Sequence, residues 1–251
     1  MKRLLRPGLS VALAAGILAV AGAPAYAAGP ISGRHKTSHA NSASTNWSGY
    51  AAYDSTFSHV QGDWTVPTAD CSAVKGKQVT IATAFVGIDG FLSSTVEQSG
   101  TDTDCIGKTP FYVAWYEFYP DRAIFLDQSD YPVDPGDHMH AEVSVSGTTA
   151  TLTLQNVTQS WTLTPAPSQS SSSFDFSSAE WVLEAPAKKL ADFGSIGFTD
   201  AEATGDGHTG PISDFTHDRI TMVSRNGRIV RATPSDLSNG GRAFSVTFNS
   251  P

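Results

Sequence analysis

The 251-residue sequence predicts an all-β domain, a sandwich or a barrel. Three observations carry that reading. Short runs rich in β-branched and aromatic residues recur along the chain. Turn chemistry separates them, and no helical stretch of convincing length interrupts them. The best helical candidate, 185–193, is short and contains Pro186.

The elements follow in order. The run 60–66 holds Trp64 and stops at Pro67, and 79–86 is apolar and β-branched. Residues 111–119 (FYVAWYEFY) read as an aromatic strand. The Pro135-Gly136-Asp137 turn leads into 139–145, where Met139, Ala141, Val143 and Val145 alternate with His140, Glu142 and Ser144. After Gly147-Thr148, residues 150–157 alternate again through Ala150, Leu152 and Leu154. Residues 220–223, 228–232 and 243–248 complete the set, with Asn226-Gly227 as a hairpin signal. The stretch 165–173 (PAPSQSSSS) reads as a surface loop within one domain, because neither flank holds enough strands for a second.

The start of the chain has a different character. Lys2, Arg3 and Arg6 precede an apolar stretch, 9–21, and Ala25-Tyr26-Ala27 is an A-x-A cleavage signal. Residues 1–27 therefore read as a secretory signal peptide rather than an anchor, since the apolar run falls short of the ~20 residues a span needs. Residues 28–45 read as a disordered leader or short propeptide, and 46–251 as the folded domain. Cleavage after Ala27 removes three basic residues and no acidic ones, so the net charge of −8 becomes −11. The longest Lys/Arg run beyond that point is Lys188-Lys189, which argues against nucleic acid or an anionic membrane as partner. An acidic, exported, extracellular chain is compatible with an acid medium. Its two cysteines, Cys71 and Cys105, read most economically as one disulfide in an oxidising compartment. Closing a loop of about 35 residues contributes roughly 3–4 kcal/mol in the chain-entropy account. Two free buried thiols are the alternative.

Common catalytic signatures are absent. There is no G-x-S-x-G and no H-E-x-x-H. His138 and His140 share a strand face but lack an evident third ligand, and Asp127, Asp130, Asp134 and Asp137 miss the calcium-loop spacing. No metal or cofactor is expected. What stands out is polar residues inside apolar strands. Glu117 sits within WYEFY. Glu180, Val182 and Glu184 share one strand face opposite Trp181 and Leu183, and Val96 and Gln98 share a face before Gly100. A carboxyl on a partly apolar face suits acid–base work. The pattern alone favours outward-facing residues on a half-exposed sheet.

Five segments then occur together in order: Asn46-Trp47-Ser48-Gly49-Tyr50, Phe85-Val86-Gly87-Ile88-Asp89-Gly90, Glu97-Gln98-Ser99-Gly100, Ala114-Trp115-Tyr116-Glu117-Phe118-Tyr119-Pro120 and Ala179-Glu180-Trp181-Val182-Leu183-Glu184. Together they resemble the glutamic peptidases, the eqolisins, from about Asn46 to the C-terminus. The resemblance implies a concanavalin A-like β-sandwich of two antiparallel sheets with a cleft on one face. It implies a secreted endopeptidase acting on polypeptides at acid pH. A monomer is expected. The family's catalytic glutamine falls on Gln98, and its catalytic glutamate on Glu184 rather than Glu180. Asp89 and Glu117 are expected to support the dyad, with Trp47, Phe85, Trp115 and Tyr116 along the cleft. Phe85 and Phe118 stand where the family usually has Trp, which removes an indole donor at each place. The family's cysteine pattern is not reproduced.

In this reading Glu184 deprotonates water and Gln98 donates to the tetrahedral oxyanion. The competing reading is a secreted carbohydrate-active or carbohydrate-binding sandwich, with Glu117 and Glu184 as its carboxylates and Trp115 and Trp181 as platforms. A glycosidase has no need of Gln98. A binding module without activity is a third class. Asn46-Trp47-Ser48 and Asn156-Val157-Thr158 are glycosylation sequons.

Overall fold

The computed structural model describes residues 30, 35–38, 41–167 and 174–251. The stretch read as a signal peptide, part of the leader and the Ser-rich part of the 165–173 loop lie outside the described residues.

The strands in chain order are β1 (His35–Ser38), β2 (Asn41–Ser44), β3 (Trp47–Tyr53), β4 (Phe57–Thr65), β5 (Val79–Thr80) and β6 (Thr83–Ile88). Next come β7 (Val96–Ile106), β8 (Thr109–Tyr119), β9 (Ile124–Phe125), β10 (His138–Ser146), β11 (Thr149–Asn156) and β12 (Trp161–Leu163). The last six are β13 (Ser178–Glu184), β14 (Ser195–Gly205), β15 (His208–Pro211), β16 (Thr216–Val223), β17 (Val230–Pro234) and β18 (Phe244–Phe248).

Their pairings form two layers. The front sheet runs β9-β8-β7-β6-β13-β3-β16, and the back sheet runs β12-β11-β10-β4-β14-β18. At one edge β17 pairs with β16 of the front and β18 of the back. Neighbours are antiparallel except for β2 beside β16, which is parallel. This is the expected β-sandwich.

Period-two alternation builds the core between the layers. Met139, Ala141 and Val143 of β10 and Ala150, Leu152 and Leu154 of β11 point inward and are buried, while their neighbours are partly exposed. Ala179, Trp181 and Leu183 of β13 meet them from the front. Two indoles tie the layers: Trp181 Nε1 donates to the Gln61 carbonyl at 2.7 Å, and Trp64 Nε1 donates to Thr101 Oγ1 at 2.9 Å. Each buried ring thus keeps its polar end satisfied.

The central front strands β3, β6 and β13 are buried on both faces. Their outer face carries a second apolar cluster that includes Trp47, Phe85, Phe91, Trp115 and Val182. Several segments differ from expectation. Residues 41–44, inside the stretch read as leader, form a strand with Ser42 and Ser44 buried, because β16 offers them an open edge. The run 79–86 is broken at Ile81, which makes a parallel bridge to Leu190 instead. Residues 185–193, the best helical candidate, contain no helix. Cys71 and Cys105 are bonded, with Cα atoms 5.5 Å apart, and tie the 66–78 connection to the end of β7.

Candidate active site

Register fixes which residues share the outer face of the front sheet. Gln98 on β7 lies opposite Glu117 on β8 and Gly87 on β6. Gly87 lies opposite Glu180 on β13, so Glu180 is level with Gln98. Glu184 lies four residues further along β13, opposite Thr83 and Trp47. Alternation places Gln98, Glu117, Glu180 and Glu184 on one face with Trp47, Phe85, Trp115 and Val182. None of the four polar side chains is more than 1% exposed.

Gln98 is held by its neighbour. Its Nε2 donates to Glu117 Oε2 at 2.7 Å, which fixes the orientation of the amide and leaves the second N–H of that nitrogen to point elsewhere. Gly87 is required beside it. A Cβ there would lie 3.0 Å from Gln98 Cβ and from the Glu97 carbonyl.

Glu184 has a different setting. Asn46 Nδ2 donates to its Oε1 at 3.1 Å, and Trp47 Nε1 donates to its Oε2 at 2.9 Å. Both oxygens accept from N–H groups, an arrangement suited to a carboxylate. Asn46 also donates to the Pro30 carbonyl at 3.2 Å. Trp47 packs edge-on to Phe85 at 5.5 Å, and Phe85 packs on Trp115 at 6.3 Å, so the aromatics pave the face between the two ends.

Electrostatics separates the carboxyls further. Burial pushes Glu117 up to about 8, and the Gln98 bond opposes only part of that. Burial, with the nearby charge of Asp89, pushes Glu97 up to about 9. Burial also raises Glu180 well above the usual range, with added repulsion from Asp89 and Glu97. Asp102 and Asp104 are raised by burial too, despite the 2.7 Å bond from Thr83 Oγ1 to Asp102. These groups are neutral at acid pH.

Some expected residues sit elsewhere. Asp89 touches neither Gln98 nor Glu184 in any hydrogen bond of the described residues. Its left-handed backbone (φ 73°) turns its carboxylate toward the N–H groups of Asp175, Phe176 and Ser177, so it clamps the segment leading into β13. Tyr116 and Phe118 alternate away from Glu117 and pack against the core between the sheets. The Trp-to-Phe change at 118 therefore falls outside the cleft face. Sequence reasoning missed the role of Asn46, although it opens the first motif. It also missed Asp102, four residues past Gln98 and thus on the same face. His138 and His140 both bond Asp63, at 3.1 and 2.6 Å, on the back sheet. Among the described residues no group of three or more His, Cys, Asp or Glu could hold a metal ion. Asn156 is fully buried, and Asn46 is engaged with Glu184, so neither sequon is freely displayed.

The Peptidase A4 family model matches residues 45–248, the whole span that carries this face. The chain belongs to the Peptidase A4 family. Among relatives of this A4 peptidase, Aspergillopepsin-2 of Aspergillus niger is 31% identical over 229 residues, covering 82% of this chain and 78% of that protein. Scytalidopepsin B of Scytalidium lignicola is 28% identical over 219 residues, covering 81% and 78%. In structure, the A4 peptidase resembles scytalido-glutamic peptidase crystallised with a peptide-based transition state analog: TM-score 0.66, 26% identity, 82% of this chain and 98% of that one. Aspergilloglutamic peptidase from Aspergillus niger gives 0.58 at 31% identity, over 68% and 99%. The A4 peptidase is a glutamic-type peptidase.

Proposed function

We propose that this peptidase is an exported, monomeric endopeptidase acting at acid pH, with Glu184 as the base and Gln98 as the oxyanion donor. In this reading residues 1–27 are removed on export, and of the stretch read as a leader, 28–45, residues 41–44 belong to the folded domain as β2. The observation that carries the assignment is the contrast among the glutamates of one face. Glu184 accepts from two N–H donors, whereas burial holds Glu117 and Glu180 protonated.

Peptide hydrolysis needs an activated water, an oxyanion donor and a proton for the leaving nitrogen. Anionic Glu184 takes a proton from water as the new C–O bond forms. The carbonyl oxygen becomes the oxyanion and accepts from the Gln98 amide N–H that does not bond Glu117. Glu184 then returns the proton to the amine as the C–N bond breaks. Glu117, neutral at acid pH, anchors Gln98 without adding negative charge near the oxyanion. Polypeptide substrates fit the relatives, one of which was crystallised with a peptide-based transition state analog.

Glu180 is the rival base, because it is level with Gln98 while Glu184 is four residues away. A protonated carboxyl cannot deprotonate water, which disfavours Glu180 in acid. The Glu184 assignment requires both groups to converge on one scissile carbonyl when substrate binds. The deciding experiment is a pH profile of casein cleavage by wild type, Glu184→Gln and Glu180→Gln. Loss of activity only with Glu184→Gln supports the assignment. Loss only with Glu180→Gln transfers the base to Glu180.

A further inference from the structure

We propose that the cavity beside Glu184 is a specificity subsite for an acidic substrate side chain, Asp or Glu, close to the scissile bond. The inference rests on the peptidase reading above and adds which substrates that site selects.

The cavity has a volume of about 750 Å³ and lies where β13 ends. Glu184 is in its wall, so a side chain lodged there belongs to a residue near the reacting carbonyl. The other charged side chains in the lining are Lys188, Arg225 and Arg231. Three cationic side chains and one acidic side chain line it, with the main-chain carboxylate of Pro251 beside them, in a chain with 24 acidic and only 16 basic residues. Such convergence runs against the protein's own charge balance.

The cations are also not consumed by internal ion pairs. Among the described residues, Arg219 and Arg242 pair with Asp236 and Glu202, whereas Lys188, Arg225 and Arg231 form no salt bridge. Arg231 is 7% exposed and donates to the carbonyls of Thr45 and Lys188, at 3.3 and 3.4 Å. Those two bonds engage one N–H on each terminal nitrogen of a group that carries five. A guanidinium fixed by backbone carbonyls keeps its charge for an incoming carboxylate, which it can meet in a bidentate pair. Lys188 and Arg225 are exposed and form the rim. Burying an apolar or basic side chain against three cations has no comparable compensation, so the wall selects by charge.

The test uses quenched fluorogenic peptides differing by a single Glu-for-Gln exchange at each of four positions around the scissile bond. At pH 5.5 the substrate Glu is ionised, and wild type is expected to favour Glu at one position by about tenfold in kcat/KM. At pH 3 the substrate Glu is protonated and the preference should collapse. The rim variant Lys188→Glu/Arg225→Glu should lose the preference while still cleaving the Gln peptides, and Arg231→Gln should lose it too. The rim variant covers the case in which the buried arginine is needed for folding. Equal cleavage of Glu and Gln peptides at every position, or a preference unchanged in the rim variant, overturns the subsite alone. A wild-type protein that cleaves none of the peptides overturns the peptidase site itself and the subsite with it.

Discussion

The two ends of the front sheet's outer face hold the same residue type in opposite settings. At one end Glu180 and Glu117 are enclosed, level with Gln98, and burial favours their neutral forms. At the other, Glu184 is equally buried but receives N–H bonds on both oxygens and borders a cationic cavity. Burial alone therefore does not define the setting of a carboxyl. The donors and charges placed around it decide whether it serves as a base or as a neutral strut.

The sharpest way to break this contrast is Glu184→Gln. It should reduce kcat by roughly 10³-fold or more at acid pH, with the fold kept by circular dichroism. Gln98→Ala should cost about 10²–10³ in kcat with KM little changed, since the lost donor acts on the oxyanion rather than the ground state.

The enclosed end should reveal itself in stability. Glu117 and Glu97 are raised to about 8 and 9, so the folded state binds more protons than the unfolded one between pH 4.5 and those values. Their contribution is complete below the ordinary carboxylate range and is lost as pH rises. A melting temperature about 5–15 °C lower at pH 8 than at pH 4.5 is expected by calorimetry. Glu97→Gln should flatten that slope, and an unchanged slope would show that Glu97 does not carry it. The smallest effect belongs to Glu180→Gln, which replaces an already neutral group and should change acid-pH kcat less than about tenfold.

Much of this was legible in the sequence because period-two alternation is local. Glu180 and Glu184 could be put on one face, opposite Trp181, before any strand was paired. The sandwich followed from the density of such strands and from five motifs in order. Cross-strand register was not legible, because it depends on which strands become neighbours. Hence Glu180's position level with Gln98 came only with the β6–β13 and β6–β7 pairings. Asp89 was misplaced for a related reason. A positive φ removes it from the alternation, and its three backbone partners lie more than 80 positions away. Asn46 was overlooked because a residue just before a strand has no face until the chain around it is built.

The engagement of Asn46 also bears on how the protein can be produced. Asn46-Trp47-Ser48 is a glycosylation sequon whose amide nitrogen is the donor to Glu184. Eukaryotic secretory hosts attach sugars while a chain is still folding. A glycan there would replace one of that nitrogen's hydrogens and place a bulky, hydrated group at the mouth of the cavity beside Glu184. Protein from a yeast or insect-cell secretory route that carried this glycan would present Glu184 with an altered Asn46 donor. A bacterial periplasmic host, oxidising enough for the Cys71–Cys105 bond and lacking that modification, would yield a single form.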